Sequence, residues 1–161
     1  ERTFCKGEII HGEGRVCPNL FLVNDGILRA YYLKDGKDIT AHFAIDLGVV
    51  TAVDSFLHNR PGRYNVETLE PSTIMILSRA DLDNFLQENP HHERTARLFV
   101  ESLYMDLADR MASIMFYSAR ERYEELIRTS PSVVNRVSLG NIASYLGITQ
   151  ETLSRVRAAA R

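Results

Sequence analysis

Between residues 141 and 157 the chain reads "NIASYLGITQETLSRVR", and this stretch holds a compact set of side chains able to read nucleic-acid bases. Arg can fork to guanine O6 and N7, Gln can pair with adenine, and Glu can accept from the cytosine amino group. Arg155, Gln150 and Glu151 supply those three chemistries within six residues, with Ser154 and Arg157 beside them. The hydroxyls of Ser138, Thr149 and Thr152 sit where helices would start, a position suited to phosphate oxygens.

These side chains need a scaffold. Helices shorter than about 12–15 residues are marginal in water, yet the stretch contains two short apolar-periodic pieces split by Gly147. Two such pieces become stable by packing on each other. Ser138 caps the first helix, which buries Ile142, Ala143 and Leu146. Ala143 is small where the second helix must cross closely. Gly147 falls just past the helix end, where a left-handed residue turns the chain sharply. Ile148 plugs the angle, Thr149 caps the second helix, and Leu153 and Val156 form its inward face at spacing i, i+3. This is the layout of a helix-turn-helix, whose second helix lies in the major groove. Taken alone, the same pattern also occurs in unrelated helical hairpins.

The charge distribution favours the DNA reading. Residues 1–116 carry 12 Lys and Arg against 17 Asp and Glu, a net −5. Residues 117–161 carry seven Arg against four Glu, a net +3. A basic segment on an acidic body points to a polyanion partner for the C-terminal part alone. The chain starts "ERTFCKGE", with no Met and no apolar signal core, so the true N-terminus is expected to lie upstream. No apolar run is long enough to span a membrane. Cys5 and Cys17 cannot make a disulfide framework or supply the four thiolates of a typical iron–sulfur cluster, which fits a cytoplasmic setting.

Metal and enzyme chemistry find little support. His11, His42, His58, His91 and His92 show no metal-ligand spacing. His91-His92 read as surface residues, and His42 reads as packed or paired within a strand. A cupin-like metalloenzyme would need clustered His and Glu on inward strand positions. No catalytic residue, metal or cofactor is therefore expected. A regulatory or oligomerisation module without DNA is the remaining rival class.

The rest of the chain supplies a body and a connector. "NLFLVNDGILRAYYLKDGKDITAHFAI" has three apolar runs separated by Asp25-Gly26 and Lys34-Asp35-Gly36-Lys37, a strong hairpin signal. Residues 8–11, 49–53, 64–69 and 73–78 read as further strands, together a jelly roll or sandwich. Ser78 caps a helix ending at Pro90. Residues 91–116 read as one long helix, on which Val100, Tyr104, Leu107, Met111 and Ile114 are spaced 4, 3, 4, 3. That is a coiled-coil seam, so the helix is expected to pair with a second copy. A second stripe of Phe99, Leu103 and Met115 is expected to pack on the strands. Residues 120–128 form an amphipathic helix, with 131–137 as a connector.

The chain resembles the Crp/Fnr family of bacterial transcription regulators, of which the cyclic-AMP receptor protein is one. "KGEIIHGEG" is similar to the family's first strand pair. "LFLVNDGILRAYYLKDGKD" is similar to its central hairpin, "SRADLDNFLQENP" to the short helix after the roll, and "LGNIASYLGITQETLSRVR" to its helix-turn-helix. "IASYLGITQETLSR" particularly resembles Bacteroidetes-type members. The resemblance implies an α+β chain of three parts. These are a cyclic-nucleotide-binding-like double-stranded β-helix sensor over 1–90, a dimerisation helix over 91–117, and a winged helix-turn-helix over 118–161. It implies a homodimer on double-stranded DNA, base contacts from Gln150, Glu151 and Arg155, and RNA polymerase and a small effector as further partners.

The chain departs from the family at the nucleotide cassette. "TAVDSFLHNRPGRYNVE" has Thr51-Ala52-Val53 where the family has Gly-Glu-Leu, and Tyr64 where a Ser or Thr follows the phosphate-binding Arg. The ribose carboxylate and the cradle hydroxyl are both absent. The effector pocket is placed at Arg63, Tyr64 and Asp54, and cyclic AMP is not its expected ligand. Arg63 reads either as a residual anion site or as a solvated loop residue. The sequence stops at Arg161, inside or just past the recognition helix, so the family's wing is expected to be truncated, disordered or absent. A constitutive DNA reader with an idle pocket is the alternative to a sensor.

Overall fold

A computed structural model describes residues 1–159. It is an α+β chain in which two four-stranded antiparallel sheets close into a roll, followed by helices. One sheet runs β1 (Arg2–Phe4), β8 (Ser72–Ser78), β3 (Asn19–Asp25), β6 (Val49–Val50). The other runs β2 (Ile9–His11), β7 (Asn65–Thr68), β4 (Ile27–Lys34), β5 (Lys37–Ile45). Their inner faces meet on Phe21, Val23, Leu28, Ala30, Ala44, Val50, Val66 and Ile74, all buried. The β3–β4 turn needs Gly26. Its φ is +109°, and a Cβ there would lie 2.3 Å from the Ser72 hydroxyl.

Several local expectations change. The strand expected over 49–53 stops at Val50, and Val53 opens the short helix α1 (Val53–His58). The reason is Ser55: its buried hydroxyl accepts from Cys17 N–H at 2.7 Å and donates to Arg60 O at 2.6 Å. These two bonds pull the chain off the sheet. The strand β1 was not expected. Residues 131–137, expected to be a connector, contain the helix α5 (Pro131–Arg136), with Pro131 in the first turn where its missing N–H is not needed.

The remaining helices are α2 (Arg79–Glu88), α3 (Glu93–Phe116), α4 (Ala119–Thr129), α6 (Leu139–Leu146) and α7 (Gln150–Ala159). Ser78 Oγ accepts from Asp81 N–H at the start of α2. Pro90–His92 forms a 3₁₀ turn before α3. A full capping box holds α4, with Ser118 and Glu121 satisfying each other's backbone.

No residue of α3 is buried. The expected second stripe does not pack on the strands: Phe99 and Leu103 are 43% and 39% exposed, and Met115 is 66% exposed. The physical reason is a gap: α3 stands off from the roll and leaves a groove between them.

The C-terminal helices dock on the outer face of the β2-β7-β4-β5 sheet. Ile27 and Phe43 from the roll share one core with Tyr123, Leu126, Val133, Val137, Ile142, Ala143, Leu146 and Leu153. Polar ties lock this contact. Ser144 Oγ accepts from Thr40 N–H at 2.8 Å and donates to Asp38 O at 2.9 Å. Arg136 pairs with Asp46 at 2.9 Å and with Glu70.

Candidate nucleic-acid interface and effector groove

The two-helix unit is built by the expected residues. Gly147 closes α6 in the left-handed region, at φ +67° and ψ +34°, and Ile148 N–H returns to Ala143 O. Ser138 Oγ accepts from Asn141 N–H, and Thr149 Oγ1 accepts from Thr152 N–H at 3.1 Å. Ile142, Ala143, Leu146 and Leu153 are buried, and Val156 is half-buried.

Burying Leu153 fixes which side of α7 faces out. Gln150, Glu151, Ser154 and Arg155 are exposed, and Arg157 is half-buried. The side chains of Arg155 and Glu151 are 73% and 82% exposed, and only a loose 3.9 Å contact joins them. An exposed pair at that separation contributes little to stability. Both heads are therefore free to reach an outside partner. Arg161 lies outside the described residues.

Of the expected effector trio, two residues share one hollow and the third lines another. Asp54 and Arg63 lie on a surface hollow with Glu13, Gly14, Arg60 and Gly62. The Arg63 side chain is 72% exposed, and its guanidinium is 3.6 Å from Asp54, which also accepts the Arg63 backbone N–H. Tyr64 faces elsewhere, into the groove between roll and helix.

That groove, of about 830 Å³, went unseen in the sequence. Leu20, Ala30, His42, Val50 and Tyr64 line its roll side, and Phe99, Leu103, Asp106 and Arg110 its helix side. A bulge shapes it. Ala30 pairs with His42 but Tyr31 pairs with Thr40, which leaves Ala41 unpaired and turns His42 to the roll mouth. His42 is exposed on the single chain, yet partial desolvation in the groove, then the Arg110 guanidinium, pushes its imidazole below the usual pKa. Burial, then Asp54, raises the Tyr64 phenol.

Arg110 is the joint of the molecule. One of its nitrogens, Nη2, donates to Thr40 O in the roll at 3.1 Å and to Tyr145 O in α6 at 3.0 Å. Its guanidinium stacks 3.8 Å from the centre of the Tyr145 ring. No periodic pattern marked it, because its partners are 35 and 70 residues away.

No cluster of His, Cys, Asp and Glu that could hold a metal ion occurs among the described residues. Among the described residues, no helix is long and apolar enough to cross a membrane.

Comparison with known proteins fits this geometry. Residues 1–89 match the cyclic nucleotide-binding domain family. The nitrogen fixation regulation protein FixK of Bradyrhizobium diazoefficiens is 28% identical over 166 residues, covering 94% of this chain and 68% of that protein. The solved structure of FixK2 from Bradyrhizobium japonicum superposes with a TM-score of 0.79 at 22% identity, covering 98% of this chain and 82% of the other. A CooA mutant from Carboxydothermus hydrogenoformans gives 0.77 at 19% identity, with 98% and 74% covered. A transcriptional regulator of the CRP family from Thermus thermophilus gives 0.73 at 20% identity, with 99% and 83% covered. The chain thus belongs to the cyclic nucleotide-binding domain family.

Proposed function

We propose that the chain is a sequence-specific DNA-binding transcription regulator that acts as a homodimer on a two-fold operator. The observation that carries the reading is the outward face of α7. Gln150, Glu151, Ser154 and Arg155 stand exposed on one side of a helix that Leu153 anchors from the other. Thr149, Ser138 and Arg157 flank this face and suit phosphate contacts. The second copy is the occupant suggested for α3. Its seam of Val100, Tyr104, Leu107, Met111 and Ile114 is 48–69% exposed on the single chain, and the spacing is that of a two-helix coil. Two α7 helices would then read half-sites about 34–36 Å apart.

A small effector would act through the groove by favouring one arrangement of roll, α3 and helix-turn-helix over another. Cyclic AMP is not the proposed ligand. The cassette hydroxyl and carboxylate are missing, and Arg63 makes only a loose 3.6 Å contact with Asp54. The missing cassette also favours the second reading, a constitutive regulator whose original pocket is idle.

The test is selection of genomic fragments by the purified chain, with and without a metabolite extract. A palindromic motif recovered only with extract supports a sensor, and one recovered in both conditions supports the constitutive reading. Arg155→Ala is expected to weaken the selected site by about 1–3 kcal/mol and relax its preference at one base pair. Unchanged affinity and unchanged base preference would remove Arg155 from the interface.

A further inference from the structure

The direction of α3 relative to the DNA-reading unit is not set by core packing, since no residue of α3 is buried. α6 and α7 move as one body, because Ile142, Ala143, Leu146 and Leu153 share a core and Ile148 N–H returns to Ala143 O. Two adjacent α6 residues, Ser144 and Tyr145, tie that body to β5 and to α3 at once. Ser144 Oγ accepts from Thr40 N–H and donates to Asp38 O. Tyr145 O accepts from Arg110 of α3. The centre of the Tyr145 ring lies 3.8 Å from the Arg110 guanidinium and 5.0 Å from the centre of the Phe43 ring of β5.

The seat for these two residues is braced from inside the roll. Arg29 of β4 is 5% exposed. It donates to Thr40 Oγ1 at 3.1 Å, to the Asp38 carboxylate at 2.6 Å and to Glu67 at 2.6 Å. Thr40 itself has no exposed surface. Its N–H goes to α6, its carbonyl to Arg110 of α3, and its hydroxyl to Arg29 of β4. Apolar burial is non-directional, whereas hydrogen bonds weaken steeply with angle. A residue held this way from three elements cannot turn toward one without straining the bonds to the other two.

We propose that the Thr40 junction, with Ser144 and Tyr145 seated on it, fixes the angle between α3 and α7 and thereby selects the spacing of the two half-sites. The inference rests on the reading of the chain as a homodimeric DNA reader. These three act through α7 and are positioning residues. Adding one base pair between half-sites moves one of them by about 3.4 Å and turns it by about 35°. α7 can follow only if it swings relative to the helix that pairs the two copies, and the junction resists that swing.

The test measures binding of the full chain to three kinds of duplex by fluorescence anisotropy. One carries a single half-site, one carries two at the spacing found by genomic selection, and one has a base pair added or removed between them. The altered spacing should weaken wild type about ten- to a hundredfold, the discrimination that two or three hydrogen bonds enforce. Ser144→Ala should cut that penalty about three- to tenfold, and Ser144→Ala with Tyr145→Leu should cut it further. Affinity for the single half-site should stay within about twofold of wild type. Ser144→Thr keeps the hydroxyl and should keep the penalty. Arg155→Ala should show the opposite pattern, a weaker half-site with the spacing penalty intact. The proposal is overturned if the double variant keeps the full penalty, or if its half-site affinity falls as far as the penalty does.

A second measurement needs no DNA. Spin labels on Met105→Cys of α3 and Glu151→Cys of α7 report the angle directly, with Cys5→Ser to remove the exposed native thiol and unlabelled chain added to dilute the pairs. One narrow distance in wild type should broaden in the double variant, and a broad distance in wild type would overturn the proposal. Narrow distances that broaden in a chain binding no DNA would leave the junction standing and sink the regulator reading. DNA binding with an unchanged spacing penalty in the double variant would do the reverse.

Discussion

Replacing Arg136 by alanine should loosen the DNA-reading unit from the roll by a calculable amount. Arg136 in α5 reaches two separate loops of the roll. Its Nη1 is 2.9 Å from Asp46, and its Nη2 and Nε grip both oxygens of Glu70. The Arg136 and Glu70 side chains are 30% and 27% exposed, and that of Asp46 is 48% exposed. An exposed ion pair contributes about 0.2–1 kcal/mol. The fork onto half-sheltered Glu70 belongs at the upper end of that range, and the Asp46 contact at the lower end. Arg136→Ala should therefore cost about 1–2 kcal/mol. For a chain of this size that is a fall of about 3–6 °C in Tm. Urea unfolding of wild type, Arg136→Ala, Glu70→Ala and the double variant isolates the pair, with an expected coupling of about 0.5–1 kcal/mol. The coupling should shrink in 1 M salt, where screening reaches about 3 Å. A coupling below about 0.3 kcal/mol would show that the Arg136–Glu70 pair does not hold the unit, leaving its shared apolar core and the Ser144 and Arg110 ties.

Acid should weaken the same tie. Hydrogen bonding from Arg136, and to a lesser extent from Gly26 N–H, holds the Asp46 carboxyl below its usual pKa. A depressed carboxylate stabilises the fold above the pH where the unfolded group titrates, about 4, and that contribution disappears as pH falls through the folded value. The destabilisation by Arg136→Ala should thus fade between about pH 5 and pH 2 in a urea series. Gly26→Ala combines a forbidden φ with a clash against Ser72, whose hydroxyl donates to Glu70 O. It should cost about 2–5 kcal/mol, read by calorimetry. Leu107→Glu puts a charge in the middle of the α3 seam, at a position 65% exposed on the single chain. Sedimentation should show the dimer lost while the monomer's circular dichroism and Tm hold.

What could be read from the sequence was local. Gly147, Ser138, Thr149 and Leu153 announce themselves because a cap or a left-handed turn is specified by residues three or four apart. The Asp25-Gly26 hairpin is equally local. The ties that join the parts were silent, since Ser144 meets Asp38 and Thr40 across 106 and 104 residues. Periodicity misled on α3. It reports that a face is apolar but not what covers it, and Phe99 and Leu103 border a groove where a packed stripe was expected. Arg63 and Tyr64 are neighbours in the chain just before β7, yet Arg63 lies on a surface hollow and Tyr64 lines the groove. Arg110 looked like one more charge on a charged helix. Its significance comes only from what surrounds it.

The Ser144 contact has a consequence for solubility. β5 is the outermost strand of its sheet, and such a strand invites pairing with another chain. At Thr40 the invitation is taken up by a side chain, because the Ser144 hydroxyl accepts the strand's N–H and returns a bond to Asp38 O, as a neighbouring strand would. The helices that would handle DNA thereby also blunt an aggregation-prone border. A proteolytic fragment ending near residue 117 would lose that cover. It should associate through β5 beyond the dimer that α3 forms, seen as higher oligomers in light scattering that Thr40→Pro reduces, and a fragment no larger than a dimer would show the border to be harmless.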